Sequence, residues 1–413
     1  MSKKKLLIYA HYYYPDVAST GQILTDLAEG IEDKFEITVI CVVPSYTGVV
    51  KEEYKDKWIY HESYNGVNVI RVRVPEFNKG NKVSRIKNLL AYFINAIKVT
   101  FKLEKQDYIF SISQPPIMGG LLGVIGKWLK GGKFIYNIQD FNPEQTQAVG
   151  YSKSKKVMKF AMHLDKFSCK KADKIIVVGR DMQKTLINRF KGKNVPKNIF
   201  INNWINEKEV YPLKSDDIEV LKFKEKYGLK DKYIIMYSGN IGLYYDLKNI
   251  IKVIAKFKTR DDIVFVFIGE GIVKKDIEEY VNDNNISNVK FIPYQPKDKI
   301  NYSFNAADIH LVVNAKGIKG VSVPSKLYGV MAAGKPVLGV LEENSEARLI
   351  IEESDCGICM EPGEYEEIYK GIEYVLNNRN NINKKGINGR AYLEENLSKE
   401  FSISKYKEEI LST

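Results

Sequence analysis

The chain has 413 residues, 44% of them hydrophobic and 28% charged. That length predicts two or three domains, and the composition excludes a disordered or fibrous protein. The net charge is +12, yet residues 1–200 hold 33 Lys and Arg against 18 Asp and Glu, a net of +15, while the remainder carries −3; such asymmetry points to an anionic partner for the first half.

Lys3-Lys4-Lys5 before Leu6 and Leu7 imitates a signal peptide, but His11 and Asp16 follow at once, so the segment reads as a first strand. No apolar run reaches the ~20 residues that span a bilayer. Strands are expected at 6–10, 37–43, 67–74, 108–112, 134–138, 175–178 and 199–202. The uncharged stretch 114–126 reads as a buried helix. After a charged segment, 207–232, a second series is expected at 233–237, 263–268, 289–292, 309–313, 336–340 and 357–360. Alternation of strands with helical patterns implies parallel sheets with helices on both faces. Two series imply an α/β protein of two doubly wound, Rossmann-like domains, 1–205 and 206–397. A last helix, 398–413, is expected to cross back to the first. Ligands of such sheets bind beyond the carboxyl ends of the strands, which puts the expected site in the interdomain cleft. The turn after the first strand reads His11-Tyr12-Tyr13-Tyr14-Pro15 and has no Gly-x-Gly-x-x-Gly, which argues against a nicotinamide cofactor.

The four cysteines, Cys41, Cys169, Cys356 and Cys359, suggest a reducing compartment. Cys356-x2-Cys359 lacks the second ligand pair of a zinc site, and the four histidines are scattered, so no metal is expected.

The stretch 320–340 carries the most chemistry. Pro324-Ser325-Lys326 leads into a helical pattern (Leu327, Tyr328, Val330, Met331), Gly334 stops it, and Pro336-Val337-Leu338 opens a strand, the usual punctuation of a helix. A helix N-terminus favours anions and disfavours cations. Lys326 in the first turn therefore calls for a reason, and a bound phosphate supplies one. Gly329 to Lys335 fits Gly-x4-Gly-Lys, but Pro336 stands where a P-loop needs Ser or Thr. The glycine also closes a helix instead of following a strand, so a nucleotide triphosphatase is excluded.

Residues 85–103 carry apolar residues at 86, 89, 90, 93, 94, 97 and 101, flanked by Arg85, Lys87, Lys98 and Lys102. Residues 153–171 repeat the pattern with Val157, Phe160, Ala161, Leu164 and Phe167 among seven lysines. Basic amphipathic helices can lie on an anionic leaflet; the other reading is that both apolar faces pack on the first sheet. With the charge split, an anionic membrane surface is the expected partner. No nucleic-acid module is present, so nucleic acid is not.

Several segments resemble one family. Ser238-Gly239-Asn240-Ile241-Gly242, Val323-Pro324-Ser325-Lys326-Leu327-Tyr328, Ala332-Ala333-Gly334-Lys335-Pro336-Val337, Tyr14-Pro15-Asp16 with Ser19-Thr20-Gly21-Gln22, and Gln139-Asp140-Phe141-Asn142-Pro143-Glu144 are similar to retaining glycosyltransferases of the GT-B fold. The likeness is to family 4, in particular the WbuB-type sugar transferases of bacterial surface-polysaccharide assembly. It implies a UDP-sugar co-substrate, no other cofactor and no metal. The donor would be held by Gly239, Asn240, Gly242, Glu270, Ser322, Val323, Pro324, Ser325 and Leu327. Lys326 would stabilise the leaving diphosphate, and Asp140 would act from the first domain. Ser19, Thr20, Gly21, Gln22 and Glu144 would face a polyprenyl-diphosphate-linked glycan acceptor. Asp140 also reads as a cap of its turn, and Glu270 equally as part of a plain turn. The resemblance implies a cytoplasmic enzyme peripheral on the inner face of the membrane, moving an N-acetylated or deoxy hexose with retention. A UDP-sugar epimerase of the same fold and a catalytically silent nucleotide-sugar-binding partner are the alternatives. Two glutamates of the family pattern are replaced here by Val321 and Gly329, and an Arg–Lys pair by Asn240 and Tyr245; Lys248 is a candidate to compensate.

Overall fold

The computed structural model describes residues 3–16, 18–78, 80–150 and 154–413; Lys153 of the second basic helix lies outside them. The chain divides into two units, Met1–Asn202 with Glu400–Thr413, and Asn203–Lys399. The division falls three residues before the expected 205/206.

The first unit is built on β1 (Lys4–Tyr9), β2 (Phe35–Val42), β3 (Ile59–Tyr64), β4 (Val67–Val72), β5 (Tyr108–Ile112), β6 (Lys133–Ile138), β7 (Lys174–Val177) and β8 (Asn198–Phe200). They form one sheet in the order β3-β4-β2-β1-β5-β6-β7-β8. All neighbours are parallel except β3 and β4. The sequence reading missed β3 because the polar run His61-Glu62-Ser63 interrupts Ile59–Tyr64, an edge strand with no continuous apolar run. A signal was present: Asn65 and Gly66 both have positive φ (45° and 78°), the turn that Asn-Gly favours between antiparallel strands.

The second unit has β9 (Tyr233–Ser238), β10 (Ile263–Ile268), β11 (Val289–Ile292), β12 (Ile309–Val313), β13 (Val337–Val340) and β14 (Gly357–Met360). Its parallel sheet runs β11-β10-β9-β12-β13-β14, the doubly wound order of a mononucleotide-binding fold. Both faces of this sheet are covered. Ile235, Tyr237, Phe265 and Phe267 join one apolar cluster; Ile234, Met236, Val264 and Val266 join another on the opposite face. This is why these strands read as unbroken apolar runs.

The last helix, Lys399–Leu411, packs on the first unit through buried polar anchors. Lys174 Nζ donates to the Glu409 carbonyl (2.6 Å), its carboxylate (2.7 Å) and Ser412 Oγ (2.9 Å), and Asn137 Nδ2 donates to the Tyr406 hydroxyl at 2.9 Å.

The basic helices are Lys82–Lys102 and Lys155–Lys171, and between them the uncharged stretch forms Met118–Lys130. Their apolar stripes are only partly covered: Leu89, Phe93 and Ile97, and Ala161, Leu164 and Phe167, are half-buried. The inward side of Lys82–Lys102 is Asn88, Tyr92, Ala96, Val99 and Thr100. It is tied down by polar groups: Thr100 Oγ1 meets the Tyr9 hydroxyl at 2.7 Å, and Asn88 Nδ2 donates to the Pro75 carbonyl at 2.8 Å. Outward stand Ile86 (54% exposed), Ile94 (50%) and Phe101 (62%), with Trp128 (63%) and Phe160 (64%) on the two companion helices. Soluble surfaces seldom gather so many large apolar side chains without a use for them.

Candidate active site

In the second unit the strand order reverses between β9 and β12, so the loops following them flank a crevice. Two glycine loops interlock there. Gly269 has φ +142°, and a Cβ on it would lie 1.9 Å from the Gly239 carbonyl oxygen; a Cβ on Gly271 would lie 2.0 Å from the Ile241 carbonyl oxygen. Only glycine permits so close a backbone crossing. The Ile241 amide donates to the Glu270 carbonyl at 2.9 Å, and the Tyr237 hydroxyl donates to the Asn240 carbonyl at 2.6 Å. Glu270 thus serves the loop with its backbone, while its carboxylate pairs at the surface with Lys274 (2.7 Å). Asn240 is exposed and Gly242 buried.

The helix opened by the phosphate-site motif is Lys326–Ala332. Ahead of it Ser322 and Val323 are half-buried, Pro324 is buried and Ser325 exposed; Leu327 enters the core. Lys326 does not stand open to an anion. The residue is only half-buried, but its Nζ is buried and makes no hydrogen bond. The amine lies 3.9 Å from the ring centroid of Tyr237 and 4.0 Å from that of Tyr245. Burial drives it well below the ordinary lysine value. Gly239 forms a third wall, since a Cβ there would be 3.5 Å from Lys326 Cε. The interlocked loops and the lysine therefore share one site.

The structure also accounts for the missing acids. A Cβ on Gly329 would lie 2.8 Å from the Phe304 ring and 3.3 Å from Ile205, and Val321 is 6% exposed. Both positions are walls of the apolar core here, so neither has room for a solvated carboxylate. Lys248 is engaged elsewhere, 2.5 Å from Asp276.

In the first unit the equivalent reversal lies between β1 and β5. The helix after β1 begins at Ser19. Ser19 and Gln22 are exposed, but Gly21 is buried with its Cα side against Tyr12, where a Cβ would be 3.1 Å from the carbonyl oxygen. Its small size serves packing. Thr20 Oγ1 donates to Gln114 Oε1 (3.0 Å), and Gln114 Nε2 donates to Asp140 Oδ2 (3.3 Å). Gln145 Nε2 donates to Asp140 Oδ1 at 3.0 Å. Ser113 Oγ accepts from the amides of Gln139 and Asp140 (3.0 and 3.2 Å). Loops after β1, β5 and β6 thus converge on one carboxylate. Burial raises the Asp140 carboxyl to about 6, while the two glutamine amides pull it back.

Glu144 does not join that group. Its carboxylate accepts a two-pronged bond from Arg189, at 2.6 and 2.5 Å. Arg189 also pairs with buried Asp165, donates to the Asn142 carbonyl at 2.9 Å, and stacks on Phe141 at 4.3 Å. The loop bearing Asp140 is therefore clamped from below. Sequence reasoning missed Gln114, Gln145 and Arg189: uncharged amides and a lone arginine have no spacing signature, and their partners are distant in the chain.

Because the Asp140 carboxyl is raised, it is protonated below about pH 6 in the folded protein but only below about 3.8 when unfolded. The folded state binds the extra proton, so the stability penalty is absent at pH 3.8, grows as pH rises, and is complete above pH 6. Asp140→Asn is expected to raise the melting temperature at pH 8, by an effect on the order of 2 kcal/mol, and to leave it unchanged near pH 4.

Residues 219–392 match the family described as glycosyl transferases group 1. The second unit is a group 1 glycosyltransferase domain. Two relatives extend the match to the transferase as a whole. The probable glycosyltransferase WbjE of Pseudomonas aeruginosa is 26% identical over 337 residues, covering 81% of this chain and 82% of its own. WcaI of Escherichia coli, named as a colanic acid biosynthesis glycosyl transferase, is 26% identical over 420 residues, covering 98% and 99%. Among solved structures, that of Anabaena HepE in complex with UDP and glucose superposes with a TM-score of 0.72 over 99% of this chain and 100% of its own, at 14% identity. The transferase has the twin Rossmann-like units of the GT-B class.

Proposed function

We propose that the protein is a retaining glycosyltransferase that moves a sugar, an N-acetylated or deoxy hexose, from a UDP-sugar to a lipid-diphosphate-linked acceptor in surface-polysaccharide assembly. The observation that carries this reading is the donor site of the second unit, where interlocked glycine loops and a lysine meet at the strand-order reversal. Side-chain-free backbone lets a diphosphate approach closely, and Lys326 supplies the charge that its departure demands. The UDP in the HepE complex and the polysaccharide named for WcaI agree with this assignment. In the reaction the acceptor oxygen bonds to the anomeric carbon as the carbon–phosphate oxygen bond breaks on the same face. The acceptor proton passes to the leaving phosphate. Asp140, held by Gln114 and Gln145, orients the acceptor hydroxyl or a group on the donor sugar.

The assay is UDP release from a panel of UDP-sugars, with and without a polyprenyl-diphosphate-linked sugar. Acceptor-dependent release of UDP with an α-linked product supports the reading. A new UDP-sugar formed without acceptor identifies an epimerase, and UDP binding without turnover identifies a silent partner. In the active enzyme the acid limb of the pH profile should lie near pH 6, the value of Asp140.

The same reading places the first unit on an anionic membrane surface. Among the described residues no helix is long and apolar enough to cross a membrane, but the outward residues Ile86, Ile94, Phe101, Trp128 and Phe160 lie on or between the two lysine-rich helices. Apolar side chains can enter the headgroup region while the lysines meet anionic lipid. Wild type is expected to bind phosphatidylglycerol vesicles, less so as salt rises. The pair Ile86→Asp and Ile94→Asp should weaken binding by at least about tenfold and leave thermal stability within about 0.5 kcal/mol. Vesicle binding equal to wild type would remove the membrane claim.

A further inference from the structure

We propose that Tyr245 is a positioning residue of the donor site: with Tyr237 it holds the Lys326 amine in reserve, and the donor diphosphate binds by taking the place of Tyr245 against that amine. The inference deepens the donor assignment above and rests on it.

The two rings differ in how they are held. Tyr237 is part of β9, buried, with its hydroxyl bound to the Asn240 carbonyl. Tyr245 ends the short turn Leu243–Tyr245 and is half-buried. The turn is anchored on both sides of the ring. Before it, the Tyr244 carbonyl accepts from the Ala315 amide at 2.7 Å, from the loop after β12. After it, Asp246 accepts from Asn249 Nδ2 and from the Tyr365 hydroxyl, both at 2.8 Å. Tyr245 packs edge-on against Tyr237 at 6.1 Å and is the more exposed of the two rings, so it is the ring that a ligand entering from solvent would displace. Lys326 is likewise partly exposed, while its amine is hidden.

The chemistry of the enclosure is one-sided. The titratable groups facing the amine are the phenols of Tyr237 from β9 and Tyr245 from the turn. Among the described residues no charged group acts on it. Ring faces attract an ammonium, but they give it no oxygen, and an ammonium without water or a carboxylate is disfavoured. A diphosphate oxygen supplies the missing acceptor and charge. The amine must then carry a proton, which is drawn from the buffer. Donor binding is thereby coupled to proton uptake, and Tyr245 sets the position from which Lys326 starts. Tyrosine at this position also explains how a chain lacking the family's lysine there retains a productive cation: that cation is Lys326, kept next to the position where the lost one would act.

The test is titration calorimetry of the full chain with UDP at pH 8 in two buffers of different ionisation heat. Wild type should take up protons as UDP binds. Lys326→Arg, whose guanidinium is always charged, should bind UDP with no uptake. Tyr245→Leu should lower the uptake and tighten UDP by roughly tenfold, because the amine is then hydrated and already protonated. Tyr245→Phe keeps the ring face and should restore both values to those of wild type, which a merely structural role for the hydroxyl would not do. UDP binding without proton uptake in wild type overturns the proposal, as does Tyr245→Leu behaving as wild type. Absence of UDP binding overturns the donor assignment itself.

Discussion

Lys326→Ala lowers kcat/KM for the UDP-sugar about 10²–10³-fold, the effect of losing one preorganised group that faces developing charge. The loss should fall on turnover as well as affinity, because the leaving diphosphate carries more charge than the bound donor. Folding is expected to survive. The amine has no hydrogen-bond partner to be orphaned, and its removal relieves a buried, desolvated group. Steady-state UDP release, read beside a thermal melt of the same sample, separates the two effects. Equal turnover in variant and wild type would show that the phosphate is held elsewhere in the crevice, and Gly239–Lys326 proximity would then be packing alone.

Arg189→Met carries the largest expected loss of stability. Arg189 is buried between Glu144 and buried Asp165, so its removal leaves two carboxylates without their cation. Breaking such a pair typically costs about 3–5 kcal/mol. Lys at this position is not expected to rescue, since a single ammonium cannot reproduce the two-pronged bond to Glu144 together with the bonds to Asp165 and the Asn142 carbonyl. Urea unfolding of the variant measures the loss, and a wild-type midpoint would assign the cluster no structural role. Partial unfolding of the 140–145 loop should also take Asp140 away from Gln114, so activity in the still-folded fraction should fall with stability.

The fold was largely legible because both sheets are buried on both faces. Five strands, Tyr108–Ile112, Ile263–Ile268, Val289–Ile292, Ile309–Val313 and Gly357–Met360, have the bounds that their apolar runs predict. The edge strand Ile59–Tyr64 escaped because none of its side chains is fully buried. In the site, the backbone elements were visible as glycines, since steric need leaves a direct mark on residue type. Gly21 shows that such a mark need not concern a ligand: its close neighbour is the Tyr12 backbone.

Local pattern was therefore sufficient for the twin α/β units, for the two glycine loops and for the lysine at the head of its helix. These depend on burial period and on backbone geometry, which act within a few residues. Three matters required the tertiary structure. The first is that Lys326 is enclosed by Tyr237 and Tyr245, 89 and 81 positions away in the chain. The second is that Glu144 is bound to Arg189. The third is that Ile86, Leu90, Ile94 and Phe101 of the stripe on Lys82–Lys102 stand exposed while Asn88, Tyr92 and Thr100 are buried. Helical periodicity identifies a stripe but not the side on which the sheet lies. Hydrogen bonds to β-strand neighbours chose the polar face, and a lysine's charge state follows from which rings close around it.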